Sequence, residues 1–155
     1  MEEKIPSFFR FEDLRIYGKA VDYCTWLIKT IRDPRNECER SFCNSFVRSA
    51  SNIALNIAEG SSRNKAQFDH YLKLSKSAIR ECVIYTTMAR DLGLFSDENV
   101  ETSRNLLMEH TRMVGALIIS LQRGSRRMRD AADSEFDTSD LGSDLTSDED
   151  FMEEL

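Results

Sequence analysis

One periodicity governs this chain. Apolar residues return every three or four positions through four successive stretches, and nowhere do they alternate long enough to make a half-buried strand. The first stretch carries Leu14, Tyr17, Val21, Cys24, Ile28 and Ile31, and the second Cys43, Phe46, Ala50, Ile53 and Ile57. The third is the longest, with Phe68, Leu72, Ser75, Ile79, Cys82, Thr86 and Ala89, and the fourth uses Val100, Leu107, Val114, Leu117 and Leu121. Between them stand breakers: Asp33-Pro34, Gly60 and Gly93. Proline disfavours helical geometry in the residue before it, and glycine tolerates the left-handed turn that closes many helices. Ser96 is placed to cap the fourth helix, with Asp97 and Glu98 in its favourable first turn. Four helices of about 20 residues, each about 30 Å long, predict an all-α, antiparallel up-down four-helix bundle over residues 13–123. Residues 1–12 form a lead, and residues 124–155 a basic hinge followed by a tail. The fourth helix is expected to fray into "RGSRRMRD".

With Leu14 and Tyr17 assigned to the core seam, Ile16, Tyr23 and Trp26 project from the other side of the first helix. Three such groups on one face predict an interface, and a homo-oligomer is the expectation, because Trp and Tyr are common interface anchors. An isolated exposed aromatic would need no such account.

The net charge of −6 conceals a division. Ala131 to Leu155 holds ten acidic residues and no basic one, leaving 21 basic against 17 acidic, a net of +4, in residues 1–130. The tail, rich in Asp and Ser, is expected to be disordered. It either solubilises the chain, or shields the basic body or docks a partner. The opening "MEEKIPSFFRFEDL" holds no signal-peptide core and nothing later approaches a membrane span, so a cytoplasmic protein with no membrane partner is expected. Cys24 and Cys82 fall on apolar stripes, and Cys38 and Cys43 are too far apart for a CxxC pair, so neither a disulfide framework nor a metal site is expected. No cofactor or small-molecule substrate is indicated.

The corner "NIALNIAEGSSRNKAQF" places Asn52, Asn56 and Glu59 on one helical face. Glu59 stands just before Gly60, at the negative end of a helix, where a carboxylate needs compensation. Asn56, Glu59 and Gly60 are therefore read as a structural corner between the second and third helices, with Ser61, Ser62, Arg63, Asn64 and Lys65 supplying caps and charge. A catalytic carboxylate is the rival, without a second acid or metal set beside it.

"NIAEGSSR", then "FDHYLKLSKSAIRE" and "ARDLGLF", resembles the "four helix bundle protein" family, whose founding members are encoded in intervening sequences of bacterial 23S ribosomal RNA genes. The phenylalanine-led opening "FEDLRIYGKAVDY" fits as well, and the resemblance covers about residues 8–123. The family usually has Pro-Ser where this chain has Ala54-Leu55 and glycine where it has Lys76, and the acidic tail is outside its pattern. The resemblance implies a ring-forming bundle, typically a pentamer. It also implies distant kinship with the accessory proteins of diversity-generating retroelements, which bind a reverse transcriptase and its RNA.

Lys73, Lys76, Arg80 and Arg90 gather on one flank of the third helix, and Arg123, Arg126, Arg127 and Arg129 follow the fourth. Such charges can hold phosphates, or simply solvate a bundle's outer face. Lys73, Lys76, Arg80, Arg126, Arg127 and Arg129 are the candidate nucleic-acid-binding residues, with recognition by backbone and shape. Arg104-Asn105 followed by His110 matches the spacing of HEPN ribonucleases, with the histidine handling a proton and the arginine steadying phosphate. A structural histidine on the seam is the plainer reading of His110. The reading reached is a non-enzymatic, oligomeric binding or scaffold bundle, with RNA or an RNA-handling protein such as a reverse transcriptase as partner. The alternatives are a HEPN-like ribonuclease and a purely protein–protein scaffold.

Overall fold

The computed structural model describes the backbone of residues 7–152 and the side chains of residues 7–134. A short 3-10 turn, Arg10–Asp13, precedes four helices: α1 (Arg15–Thr30), α2 (Glu37–Ser61), α3 (Lys65–Asp91) and α4 (Asp97–Met152). Among the described residues there is no strand. The chain divides into two units, Met1–Ile119 and Ser120–Leu155, the division falling inside α4.

Capping explains where the helices start. Asn36 and Asn64 each turn a side-chain oxygen onto the backbone N–H three residues on, at 2.9 Å, and Ser96 does so for Asn99 at 3.1 Å. α2 thus begins at Glu37, three residues after Pro34. Gly93, at φ 70°, supplies the left-handed reversal after α3. The turn there sends Leu94 and Phe95 back into the core, their N–H groups both donating to the Ala89 carbonyl. α4 does not fray at "RGSRRMRD". Ser125 satisfies its hydroxyl within the helix, donating to the Leu121 carbonyl at 3.1 Å, a bond that leaves the backbone ladder intact. The backbone is helical as far as Met152. The expectation of disorder over residues 131–155 falls largely on side chains outside the described residues.

Neighbouring helices touch in opposite chain order. Ser49 donates to Glu81 at 2.6 Å, Ser75 donates to the Ile53 carbonyl at 3.0 Å, and Gly60 abuts Tyr71, so α2 and α3 are antiparallel. Lys19 with Glu109 and Tyr23 with Ser103 set α1 against the first part of α4 in the same sense.

The stripes expected for α2 and α3 are the ones buried, apart from Phe68, which is half-buried. α1 is turned differently. Its buried residues are Ile16, Ala20, Tyr23 and Leu27, while Val21 is 39% and Ile28 56% exposed. The expected interface of Ile16, Tyr23 and Trp26 is therefore not on the surface. α1 is apolar on two sides, and its partners choose between them. The buried Tyr23 hydroxyl reaches Ser103 Oγ at 2.8 Å, and that oxygen lies 2.7 Å from Thr86 Oγ1. Trp26 is half-buried between Tyr23 and Phe95, with ring centroids 5.8 and 5.7 Å away, and Phe95 packs on Phe46 at 5.9 Å. Satisfying a buried hydroxyl and stacking a tryptophan outweigh what the other stripe offers.

The corner holds together by close approach. Gly60 is helical, with no positive φ, so the left-handed reversal expected there is absent. A Cβ at Gly60 would stand 2.6 Å from Tyr71 Cβ and 2.9 Å from Phe68 Cδ2, so only a hydrogen fits between the helices. Glu59 is compensated by Arg63, whose Nε donates to its carboxylate at 3.1 Å, and the guanidinium lies over the Tyr71 ring of α3 at 5.9 Å. Asn56 stays out of the corner, donating to the Asn52 carbonyl of its own helix at 2.8 Å.

The opposite end is fastened by Arg32. Its N–H donates to the Leu94 carbonyl and its Nε to the Gly93 carbonyl, both at 3.2 Å. Its Nη2 meets Glu39 at 3.1 Å. The Arg35 N–H and the Arg32 guanidinium hold the Glu39 carboxyl below its usual range. No described helix is long and apolar enough to cross a membrane.

Candidate nucleic-acid interface

Basic side chains on this molecule fall into two kinds, those paired with carboxylates and those without an ion pair. Lys73 is bound to Asp69 at 2.8 Å, Arg90 to Asp91 at 3.1 Å, and Lys19 to Glu109 at 3.2 Å. Lys76, Arg80, Arg104 and Arg112 form no ion pair among the described residues.

Two of them, Arg104 and Arg112, line the groove between α3 and the first part of α4. Val83 lines it from α3; Arg104, Asn105, Leu107, Met108, Thr111 and Arg112 line it from α4, around a volume of about 510 Å³. Arg104, Met108 and Arg112 recur every four residues, which puts cations at both ends of one face with an apolar side chain between. Lys76 stands seven residues before Val83 and Arg80 three before it, so helical spacing places both on the groove side of α3. Arg80, Arg104 and Arg112 are exposed; Lys76 is half-buried. Lys73 lies outward of this set, with part of its charge already matched by Asp69. Arg126, Arg127 and Arg129 are exposed and belong to the second unit. Arg112 and Met108 were not among the candidates read from the sequence, and Asn105 was singled out only beside Arg104 in the ribonuclease spacing. The four-residue recurrence 104, 108, 112 was the signal for Arg112 and Met108.

The ribonuclease pairing does not form. Six residues along a helix turn the chain so that Arg104 and His110 point about 120° apart. Arg104 opens onto the α3/α4 groove, whereas His110 is buried and hydrogen-bonded to the Ile16 backbone of α1. Burial pushes its pKa down to about 4, against a usual value of 6.5, and its Nε2 has no hydrogen-bond partner. His110 is a neutral wedge between helices. The other histidine, His70, is exposed on α3.

Among the described residues no group of three or more His, Cys, Asp or Glu is placed to hold a metal. All four cysteines are free, and burial pushes the Cys82 thiol pKa well up. A second groove, between α1 and α2, is apolar and includes Phe11, Tyr17, Val21, Ala54, Leu55 and Ala58.

Comparison with protein families decides the kinship. The model of the 23S rRNA-intervening sequence protein matches residues 12–116. The chain belongs to this family. The matched region takes in α1, α2, α3, the Gly60 corner and every residue of the α3/α4 groove. The acidic segment lies beyond it. No curated protein matches the chain. The groove's residues thus fall inside the part of the chain matched by the 23S rRNA-intervening sequence protein family, and residues 131–155 fall outside it.

Proposed function

We propose that this protein is a non-enzymatic binding module that takes RNA by its phosphate backbone in the α3/α4 groove. The observation that carries this reading is a groove lined by Arg104 and Arg112, with Lys76 and Arg80 placed on its α3 side by helical spacing, none of the four in an ion pair among the described residues, whereas Lys19, Lys73 and Arg90 are matched by carboxylates. Unmatched cations spaced along a groove favour phosphate by releasing the counterions condensed on it. Asn105 adds a neutral donor of the kind that fixes register without reading bases. The family's name associates it with ribosomal RNA genes, which fits an RNA-related role. Assembly into a ring, implied by the family resemblance, would repeat the groove and sum its field.

The test is a titration of the full chain with single-stranded and duplex RNA at about 50 mM and about 200 mM salt, repeated on Arg104→Ala/Arg112→Ala. Binding that falls steeply with salt, with a shallower slope in the variant, supports the reading. Binding indifferent to salt, or unchanged in the variant, removes it.

A protein scaffold is the second reading, favoured by the apolar α1/α2 groove and by the exposure of Val21 (39%) and Leu55 (62%) beside it. A second copy of this chain docked there would show as self-association that persists in high salt.

A further inference from the structure

The floor of the α3/α4 groove is apolar, and phosphates alone give no reason for that. Val83, Leu107 and Met108 lie between the arginines, and Met108 is 47% exposed. An apolar floor with cationic rims suits an acidic amphipathic helix, anchored by residues three, four and seven apart.

This chain carries such a segment. Residues 131–155 hold ten acidic residues and no basic one, and Leu141, Leu145, Met152 and Leu155 recur at spacings of four, seven and three, the spacing of one helical face. Asp148 interrupts that stripe with a carboxylate, matched in sign to the arginine rims. From Leu145 to Met152 a helix spans about 10 Å, close to the about 12 Å from Arg104 to Arg112. Its negative charge and its apolar spacing complement the rims and the floor of the groove, and a second copy of the chain supplies it.

We propose that the α3/α4 groove binds the acidic segment 141–155 of a second copy of this chain, as a helix whose leucines meet Met108 and whose carboxylates meet Arg104 and Arg112. The segment then competes with phosphate for the same cations. That competition rests on the phosphate-binding reading above; the docking does not.

A fluorescently labelled peptide of residues 135–155, titrated with the full chain at low salt and read by anisotropy, tests this. The expected result is saturable binding, weakened about tenfold in Arg104→Glu/Arg112→Glu and about tenfold by Leu145→Ser/Met152→Ser in the peptide. The peptide variant leaves the protein untouched, so a misfolded arginine variant cannot imitate the result. No binding overturns the proposal, and so does equal binding by either variant. Unlabelled RNA separates the two ideas. If the peptide binds as expected and RNA neither binds nor displaces it, the docking stands and the phosphate reading falls. If RNA binds through the arginines and the peptide does not, the docking falls alone.

Discussion

The hydroxyl of Tyr23 on α1 lies 2.8 Å from Ser103 Oγ on α4, and the same serine oxygen lies 2.7 Å from Thr86 Oγ1 on α3, so one serine joins three helices inside the core. Burial raises the Tyr23 phenol pKa well above its usual value, which keeps the hydroxyl protonated. Ser103→Ala removes the 2.8 Å partner of the buried Tyr23 hydroxyl, leaving it only Thr86, and should destabilise by about 1–3 kcal/mol, whereas Tyr23→Phe leaves Ser103 bonded to Thr86 and should cost about 1 kcal/mol. Urea unfolding of both variants and of the double variant measures this. Strict additivity would mean the two hydroxyls are not coupled.

Gly60→Ala should destabilise despite the better helix propensity of alanine. The propensity gain is about 1 kcal/mol, but the new Cβ would meet the Tyr71 Cβ at 2.6 Å. Parting α2 from α3 to relieve such a contact costs typically about 1–3 kcal/mol. Thermal unfolding would show a lower Tm; a higher Tm would mean the corner opens freely.

Acid should weaken the fold through His110. Its folded pKa is about 4 and its usual value 6.5, so between these pH values the unfolded chain takes up a proton that the folded chain refuses. Stability is complete above about pH 6.5 and falls towards pH 4, by about 3 kcal/mol from this group. Carboxylates titrate there too, so the reading is a difference. His110→Leu should show a shallower loss between pH 6.5 and 4.5 than the parent, and parallel curves would exclude the histidine as the cause.

Among the α3 cations, charge removal should tell paired from unpaired. Arg80→Ala should weaken RNA binding and lower the salt slope by about one. Lys73→Ala should do less, since Asp69 already holds that ammonium at 2.8 Å. Equal losses would indicate a diffuse field in place of a groove.

Helix number and the α2 and α3 core faces were legible because each of those helices is apolar on one stripe only. α1 was misread because it has two, Leu14-Tyr17-Val21-Cys24 and Ile16-Ala20-Tyr23-Leu27, and periodicity cannot rank them. The deciding partners, Ser103 and Phe95, lie far along the chain, and Phe95 follows the Gly93 turn where no helical pattern applies. Gly60 was recognised as special for the wrong reason. A glycine at a helix end looks the same in sequence whether it frees the backbone or clears space for a neighbour. The groove was half legible: the cations stood out, but Lys73 seemed equivalent to Arg80 until their neighbours were known.

Arg32 joins the connection after α1 to the turn between α3 and α4 through the carbonyls of Gly93 and Leu94. Two chain reversals, about sixty residues apart in sequence, thus share one set of hydrogen bonds. Neither can open alone without breaking bonds that belong to the other, so this end should exchange its amide hydrogens as one cooperative unit. The corner at Gly60, held by a steric fit and one exposed ion pair, shares no hydrogen bond with another loop among the described residues and is the end from which partial unfolding should begin.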